Sequence, residues 1–392
     1  QHGQVLLNEA LEFYNPGLQE PDIDTIRQLD NSAWHPVSEL SHKQTLSSRH
    51  TLWFRFTIYH QSDQMQSLVL KTINPMVDNF ESYSVTQKTN SRDDNSIAIL
   101  NQLVPQSTGG ANSFIIKLPE HSYTTIYAKS SGFNSAYAPL NLYSQHEFNK
   151  EQYTLQLFHN IIAGSIVGLS LYILLLGIKT RQTIYFAYST LGICNLIGMV
   201  TYQNTFTLLN DFLSDQWRSS VLMLMPLLIT CSVIYFCQLF LDTIKNKKPI
   251  NDVLNVHIAI ILLIFIAYIL GAPIKIIVPI YTIITLSSVS IIIYLCITDK
   301  INKKGSIAMI LTGIILPLLS GIFILLIALG TFTPSSMHSE VTQASTALQM
   351  MAFAIAITIQ IQELHIKNYQ QKKSAKEARI ISDSHDRLLA HL

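Results

Sequence analysis

The chain has 392 residues, enough for two or three domains, and only 13% of them are charged, well under the roughly 25% of an average soluble domain. A formal net charge of +1 excludes the basic balance of a nucleic-acid binder. The four cysteines, Cys194, Cys231, Cys237 and Cys296, all lie in apolar runs, which excludes a disulfide framework for the head.

Charge is ordinary up to about residue 155, scarce from 157 to 360 and dense again from 363. This pattern predicts a β-sandwich domain over 1–150, a seven-helix transmembrane domain over 151–361 and a cytoplasmic helix over 362–392. Gln1 fits either an artificial start or a mature end left by signal-peptide removal; the second suits an exported head.

In the head, residues 45–143 alternate with the period of strands: "TLWFRFTIYH", "SLVLKTI", "ESYSVTQ", "SFIIKLP" and "TTIYAKSS". The turn clusters "QSDQ", "TNSRDDN" and "STGGANS" separate them. Short, closely spaced strands of this kind predict an antiparallel sandwich. Sandwiches of jelly-roll type often bind sugars, so an extracellular glycan or small polar ligand is the expected partner. In "LWFRFTI", Leu52, Phe54 and Phe56 face one way, and Trp53, Arg55 and Thr57 the other. Arg55 can fork onto a carboxylate or sit on an aromatic ring. Trp53 is either a packed side chain or a ligand platform, and Trp34 in "NSAWHPV" has the same two readings. Trp53 and Arg55 are the ligand-binding candidates.

Seven apolar runs follow, at 157–178, 183–203, 219–241, 253–270, 274–297, 306–330 and 341–361, each near the ~20 residues that cross a bilayer. The fourth and fifth are separated only by "GAPIK", and a single broken helix there would reduce the count to six. Loop charge favours seven. Lys179 and Arg181, then Lys245, Lys247 and Lys248, then Lys300, Lys303 and Lys304 follow the odd-numbered runs, while the alternate loops carry only Arg218 and Lys275. The positive-inside rule then puts these basic loops and the tail in the cytoplasm and the head outside. Polar exceptions within the spans include Asn160, Asn195, Gln203, Gln238, His257 and Gln349, expected to bond across helices. Pro226, Pro279 and Pro317 fall inside spans. The spans carry no carboxylates or cationic pairs of the kind a pump needs, which disfavours a transporter with a sugar-binding head.

Taken together, the order of parts resembles the bacterial seven-transmembrane receptors with diverse intracellular signalling modules. "LWFRFTIYHQSDQMQSLVLKTINPMVDNFESY" looks like the centre of their type-2 extracellular domain, and "AGSIVGLSLYILLLGIKTRQTIYFAYSTLGICNLIGMV" like their first two spans. The resemblance covers about residues 30–362. It implies a multi-pass sensor in the bacterial inner membrane, surrounded by lipid, whose tail feeds a histidine kinase or a cyclic-dinucleotide enzyme.

The tail carries a polar heptad seam from Ile361 through His385 to Leu392, which suits a signalling helix in a parallel homodimer. Its end, "ARIISDSHDRLLAHL", is similar to the phosphoacceptor box of histidine kinases related to nitrate and membrane-fluidity sensors, with Arg379, Ile380, Asp383, His385 and Asp386 on the matching positions. The resemblance implies His385 as phosphoacceptor and Asp386 as general base or orienting group. Ser384 stands where that box is usually aliphatic, and Ala390 where members with strong phosphatase activity carry Gln. Two other readings stay open: "DRLLAHL" as the approach to an acceptor beyond Leu392, and a plain linker. All three leave the 392 residues without cofactor or metal; ATP and magnesium belong to a further domain, and a response regulator is the partner if the output is a kinase. A diguanylate cyclase output would share everything up to about residue 370.

Overall fold

The computed structural model describes residues 4–7, 10–17, 19–40, 51–72, 79–88, 99–103, 113–131, 140–203, 215–243, 247–272, 274–299, 304–328 and 337–390, and every count below refers to these. They group into two compact units, 1–164 with 194–226 and 320–344, and 165–193 with 227–319 and 345–392. The turn clusters at 89–95 and 107–112 lie outside the described residues.

The head is an antiparallel two-sheet sandwich. One sheet has four strands, β1 (Gln4–Leu6), β10 (Leu140–Ser144), β5 (Gln66–Thr72) and β8 (Ser113–Leu118), in that spatial order. The other has six: β3 (His35–Pro36), β2 (Glu12–Tyr14), β4 (Thr51–His60), β9 (Ser122–Ser131), β6 (Asn79–Lys88) and β7 (Ile99–Gln102). The five quoted runs are β4, β5, β6, β8 and β9. The sandwich starts earlier than the alternation shows, because β1, β2 and β3 are three, three and two residues long and too short to display a period.

The even residues of β4, Leu52, Phe54 and Phe56, join Leu70, Phe114 and Ile116 in the core between the sheets. Each fully buried side chain of this size contributes about 1.5–3 kcal/mol. The odd face carries a second core, in which Trp53, Val85 and Tyr127 meet Ile26 and Trp34. Ile26 belongs to α1 (Ile23–Arg27). Asp22 caps α1, accepting from the Thr25 backbone N–H at 2.9 Å and its hydroxyl at 2.6 Å, and these bonds hold the carboxyl below its usual range.

Seven long helices follow: α2 (Gln145–Thr180), α3 (Thr183–Gln203), α4 (Asp215–Phe240), α5 (Lys248–Ile269), α6 (Ile274–Asp299), α7 (Lys304–Ala328) and α8 (Met337–Ala390). Six of them are long and apolar enough to span a bilayer, and α4 holds a shorter apolar stretch, Leu224–Phe240. The tight boundary between α5 and α6 is a true helix end. Gly271 sits at φ 89, its N–H donates to the Tyr268 carbonyl at 3.0 Å, and Ala272 N–H donates to Ala267 at 2.9 Å. This is a Schellman stop, whose left-handed residue favours glycine. Pro226, Pro279 and Pro317 lie inside α4, α6 and α7, each removing one backbone donor.

Polar groups in the second unit bond between helices, as expected. Gln238 donates to Asn255 Oδ1 at 3.0 Å, joining α4 to α5, and His257 lies between the Ser287 and Ser288 hydroxyls of α6. Tyr188 donates to the Met350 carbonyl at 2.9 Å, joining α3 to α8. Asn195 and Gln349 are buried, Asn160 is exposed, and the Gln203 side chain lies outside the described residues. α8 also packs face to face, with Phe353 stacked on Phe236 of α4 at 4.8 Å.

Gly313 of α7 leaves room for that stack: a Cβ there would lie 2.5 Å from the Phe353 ring and 3.3 Å from the Gln349 carbonyl oxygen. A Gly313→Ala chain should therefore melt at lower temperature in detergent, by an overpacking cost of about 1–3 kcal/mol. Gly305→Ala, whose Cβ finds ordinary contact at 3.6 Å, should melt at or above the native temperature. Equal melting of the two variants would show that the ring yields freely.

Candidate functional site

Antiparallel register assembles a polar pocket on the outer face of the six-stranded sheet. β4 places Trp53, Arg55, Thr57 and Tyr59 on that face in alternation. Its neighbours set Glu12 of β2 and Tyr127 of β9 opposite Arg55, and Thr125 opposite Thr57. Arg55 donates from Nε at 2.8 Å and from Nη2 at 2.6 Å to one Glu12 oxygen, and from Nη1 at 3.0 Å to Asn31. Its guanidinium also lies 4.5 Å from the centroid of the Trp34 ring. Both sequence readings of Arg55, fork onto a carboxylate and seat on an aromatic ring, are therefore realised together.

The pocket is an open depression of about 430 Å³ lined by Glu12, Asn31, Arg55, Thr57, Thr125 and Tyr127 among others. This volume suits a small ligand. Three of the five guanidinium N–H groups are used, leaving two for another acceptor. The Thr57 and Thr125 hydroxyls bond each other at 2.9 Å. The arginine charge is matched by Glu12, so the pocket holds donors and acceptors in close balance.

Trp53 lies elsewhere. At 1% exposure its ring is closed to solvent, stacked on Tyr83 at 6.1 Å in the second core, so it packs rather than forming a platform here. Trp34 is buried too, as the floor under Arg55. Glu12 and Asn31 were not singled out in the sequence, because they stand 43 and 24 residues from Arg55 and nothing local marks them.

A second constellation ties the head to the first long helix. β10 passes into α2 with no residue between Ser144 and Gln145. Lys71 of β5 donates to Glu151 of α2 at 3.3 Å, and Glu151 accepts from the Tyr143 hydroxyl of β10 at 3.4 Å. Phe148, one turn earlier, packs with Val69 and Tyr143. Burial, with the Glu151 carboxylate adding to it, pushes the Tyr143 phenol up to about 12, so it is a donor at any physiological pH. The outer face of the four-stranded sheet is thus clasped to the start of α2.

At the other end, α8 runs without a break from Met337 to Ala390. His385 and Asp386 belong to this helix, and their side chains lie outside the described residues.

With this geometry in place, two family models match the chain. The one described as 7TM diverse intracellular signalling covers residues 155–360, more than half the chain, and the one described as 7TMR-DISM extracellular 2 covers residues 8–144. No curated protein matches it.

Removing the lysine of the clasp tests its strength. Lys71→Met keeps the apolar stem but leaves Glu151 with only the tyrosine. It should destabilise the junction by about 1–2 kcal/mol, read as faster hydrogen exchange in the first turns of α2. Lys117→Met, on an exposed position of β8, is the control and should leave exchange unchanged. Equal behaviour of the two would mean the ion pair holds nothing.

Proposed function

We propose, for a chain that belongs to the family of seven-transmembrane receptors with diverse intracellular signalling modules, that a small polar ligand bound on the head controls a histidine kinase output through His385. That it is a membrane signalling receptor with an extracellular-type domain follows from the family and the spanning helices. The ligand, the output and the orientation are our reading.

The observation that carries the reading is the continuity of α8, which leads from a membrane-spanning stretch, Glu340–Glu363, into the box "RIISDSHD" without a break. A displacement of the span is carried along such a helix, and a polar seam between two copies has two packings of similar energy to choose from. In this reading the receptor is a homodimer in the bacterial inner membrane. The Arg55 pocket takes the ligand on the outer side, the tail lies in the cytoplasm, and a response regulator receives the phosphoryl group.

The chemistry suits the residues. The neutral imidazole nitrogen of His385 attacks the γ-phosphorus of ATP, an N–P bond forms, and ADP departs. Asp386 orients the ring or takes its proton, a role typically contributing about 10²–10⁴-fold. ATP and magnesium would be held by a separate ATP-binding domain.

The orientation is tested with a reporter active only in the cytoplasm. Fused after Leu392 it should work, and inserted at Gly271 it should not; activity at Gly271 would refute the seven-span orientation.

The output is tested on the full chain in vesicles, supplied with magnesium-ATP and the ATP-binding domain of a related kinase. Phosphate should appear on His385 by mass spectrometry under non-acidic conditions. His385→Gln should abolish it, and Asp386→Asn should slow it by about 10²-fold or more. Phosphate retained in His385→Gln would remove the acceptor assignment.

A further inference from the structure

Not every polar side chain of the spanning helices finds a partner, and the unpartnered ones of α8 are gathered in one place. Glu340 lies in the first turn of this helix, where the spanning stretch Glu340–Glu363 begins, and Gln343 follows one turn deeper. Residues three apart share a helix face, so both side chains project from one side of α8. Gln343 is 6% exposed, and neither its amide oxygen nor its amide nitrogen has a hydrogen-bond partner. Oε2 of Glu340 is closed to solvent and unpartnered as well. Among the described residues, these are all the fully buried side-chain polar atoms of α8 that lack a partner, and no ion pair involves Glu340.

The adjacent side of the same turn is paired in the ordinary way, with Thr342 accepting from the Ser320 hydroxyl of α7 at 3.0 Å. Lone hydroxyls elsewhere in the helices, such as those of Thr285 and Ser306, are a different matter, because a hydroxyl can rotate onto a carbonyl of its own helix. A carboxylate cannot donate, and a glutamine amide closed at both ends has no such escape. Buried groups of this kind are satisfied in native proteins, so an occupant is called for.

The three atoms define its chemistry. They are two acceptors and one donor group, and the carboxylate brings negative charge. A hard metal ion fits poorly: it would meet the amide N–H groups with charge of the same sign, and it takes about six to eight oxygens where this turn offers a carboxylate and one amide oxygen. No group of three or more His, Cys, Asp and Glu that could hold an ion occurs among the described residues. A quaternary ammonium has no N–H to give. A primary ammonium has three, enough for both acceptors, and an oxygen two carbons from the nitrogen would accept from the amide. Glu340 is only partly buried, and Val341 beside it is 44% exposed, so the site opens at the level where the span begins.

We propose that Glu340 and Gln343 form a binding site for a primary ammonium that carries an oxygen two carbons away. Its N–H groups donate to the Glu340 carboxylate and the Gln343 amide oxygen, and its own oxygen accepts from the Gln343 amide. This chemistry occurs in the ethanolamine headgroup of a lipid and in free amino alcohols. The site is separate from the Arg55 pocket and does not depend on the output assigned to His385. Because α8 is unbroken from Met337 to Ala390, an occupant here holds the first turn of the helix that becomes the tail.

The test uses the full chain in lipid nanodiscs and reads thermal unfolding. In discs of phosphatidylcholine and phosphatidylglycerol, which hold no primary amine, ethanolamine should raise the melting temperature by about 2–4 °C or more as it saturates the site. Choline, which differs in lacking N–H groups, and sodium should not do so at equal ionic strength. Discs of phosphatidylethanolamine without added amine form the second arm. A rise there that free ethanolamine cannot increase identifies the lipid headgroup as the source; a rise with free ethanolamine alone identifies a soluble amine. Gln343→Leu should lose the rise in both arms, yet melt at or above the native chain when no amine is present, since leucine is close to glutamine in size and leaves no amide unpaired. Glu340→Gln should lose the rise through loss of the charge. Should Gln343→Leu fail to fold, Glu340→Gln, which keeps size and helix propensity, carries the same test. Three results overturn the site: no rise with either source of ethanolamine, an equal rise with choline or sodium, or a rise retained in either variant.

Discussion

The pairing of β4 with β9 is the constraint on which the head depends. All ten residues from Thr51 to His60 are matched to Ser131 through Ser122. Because side chains alternate with a period of two, this register alone sends Leu52, Phe54 and Phe56 into the sandwich core, and Arg55, Thr57 and Tyr59 to the outer face. A slip of one residue would put a guanidinium between the sheets, where an unpaired charge costs several kcal/mol, about as much as the phenylalanines contribute. The same row of hydrogen bonds therefore fixes the core and assembles the pocket.

Arg55 shows how a charged group is tolerated at that site. Its carboxylate and amide partners come from β2 and from residue 31 just after α1, and the Trp34 ring lies beneath it. These partners arrive because Ile26 and Trp34 bury themselves against Trp53 and Tyr127 on the outer face. Hydrophobic cover on one half of the sheet face thus positions polar groups on the other half. The four-stranded sheet repeats the arrangement, since the Phe148 contact brings Glu151 within reach of Lys71 and Tyr143.

The helices follow a different rule. In hydrocarbon, backbone groups must pair within their own segment, and apolar surface gains little by moving from lipid to protein. Specific contacts then arise from close approach and from side-chain hydrogen bonds. Gly313 under Phe353, Tyr188 on the Met350 carbonyl, and His257 between two serines are contacts of that kind. Two of these three engage α8, the helix that continues into the tail.

How much was legible in the sequence depends on whether the information is local. Apolar run length, loop charge and period-two alternation are properties of neighbouring residues, so the apolar helices, the principal strands, the short turn at "GAPIK" and the face of β4 that carries Arg55 are legible in the sequence alone. It did not reveal β1, β2 and β3, whose pairing comes from distant strands and not from their own two or three residues. Nor could it bring Glu12 and Asn31 to Arg55, close Trp53 away from solvent, or set Tyr123 beside Tyr59. Each of these depends on register between segments far apart in the chain, and register is decided only when the two sheets and their covering segments bury their apolar faces together.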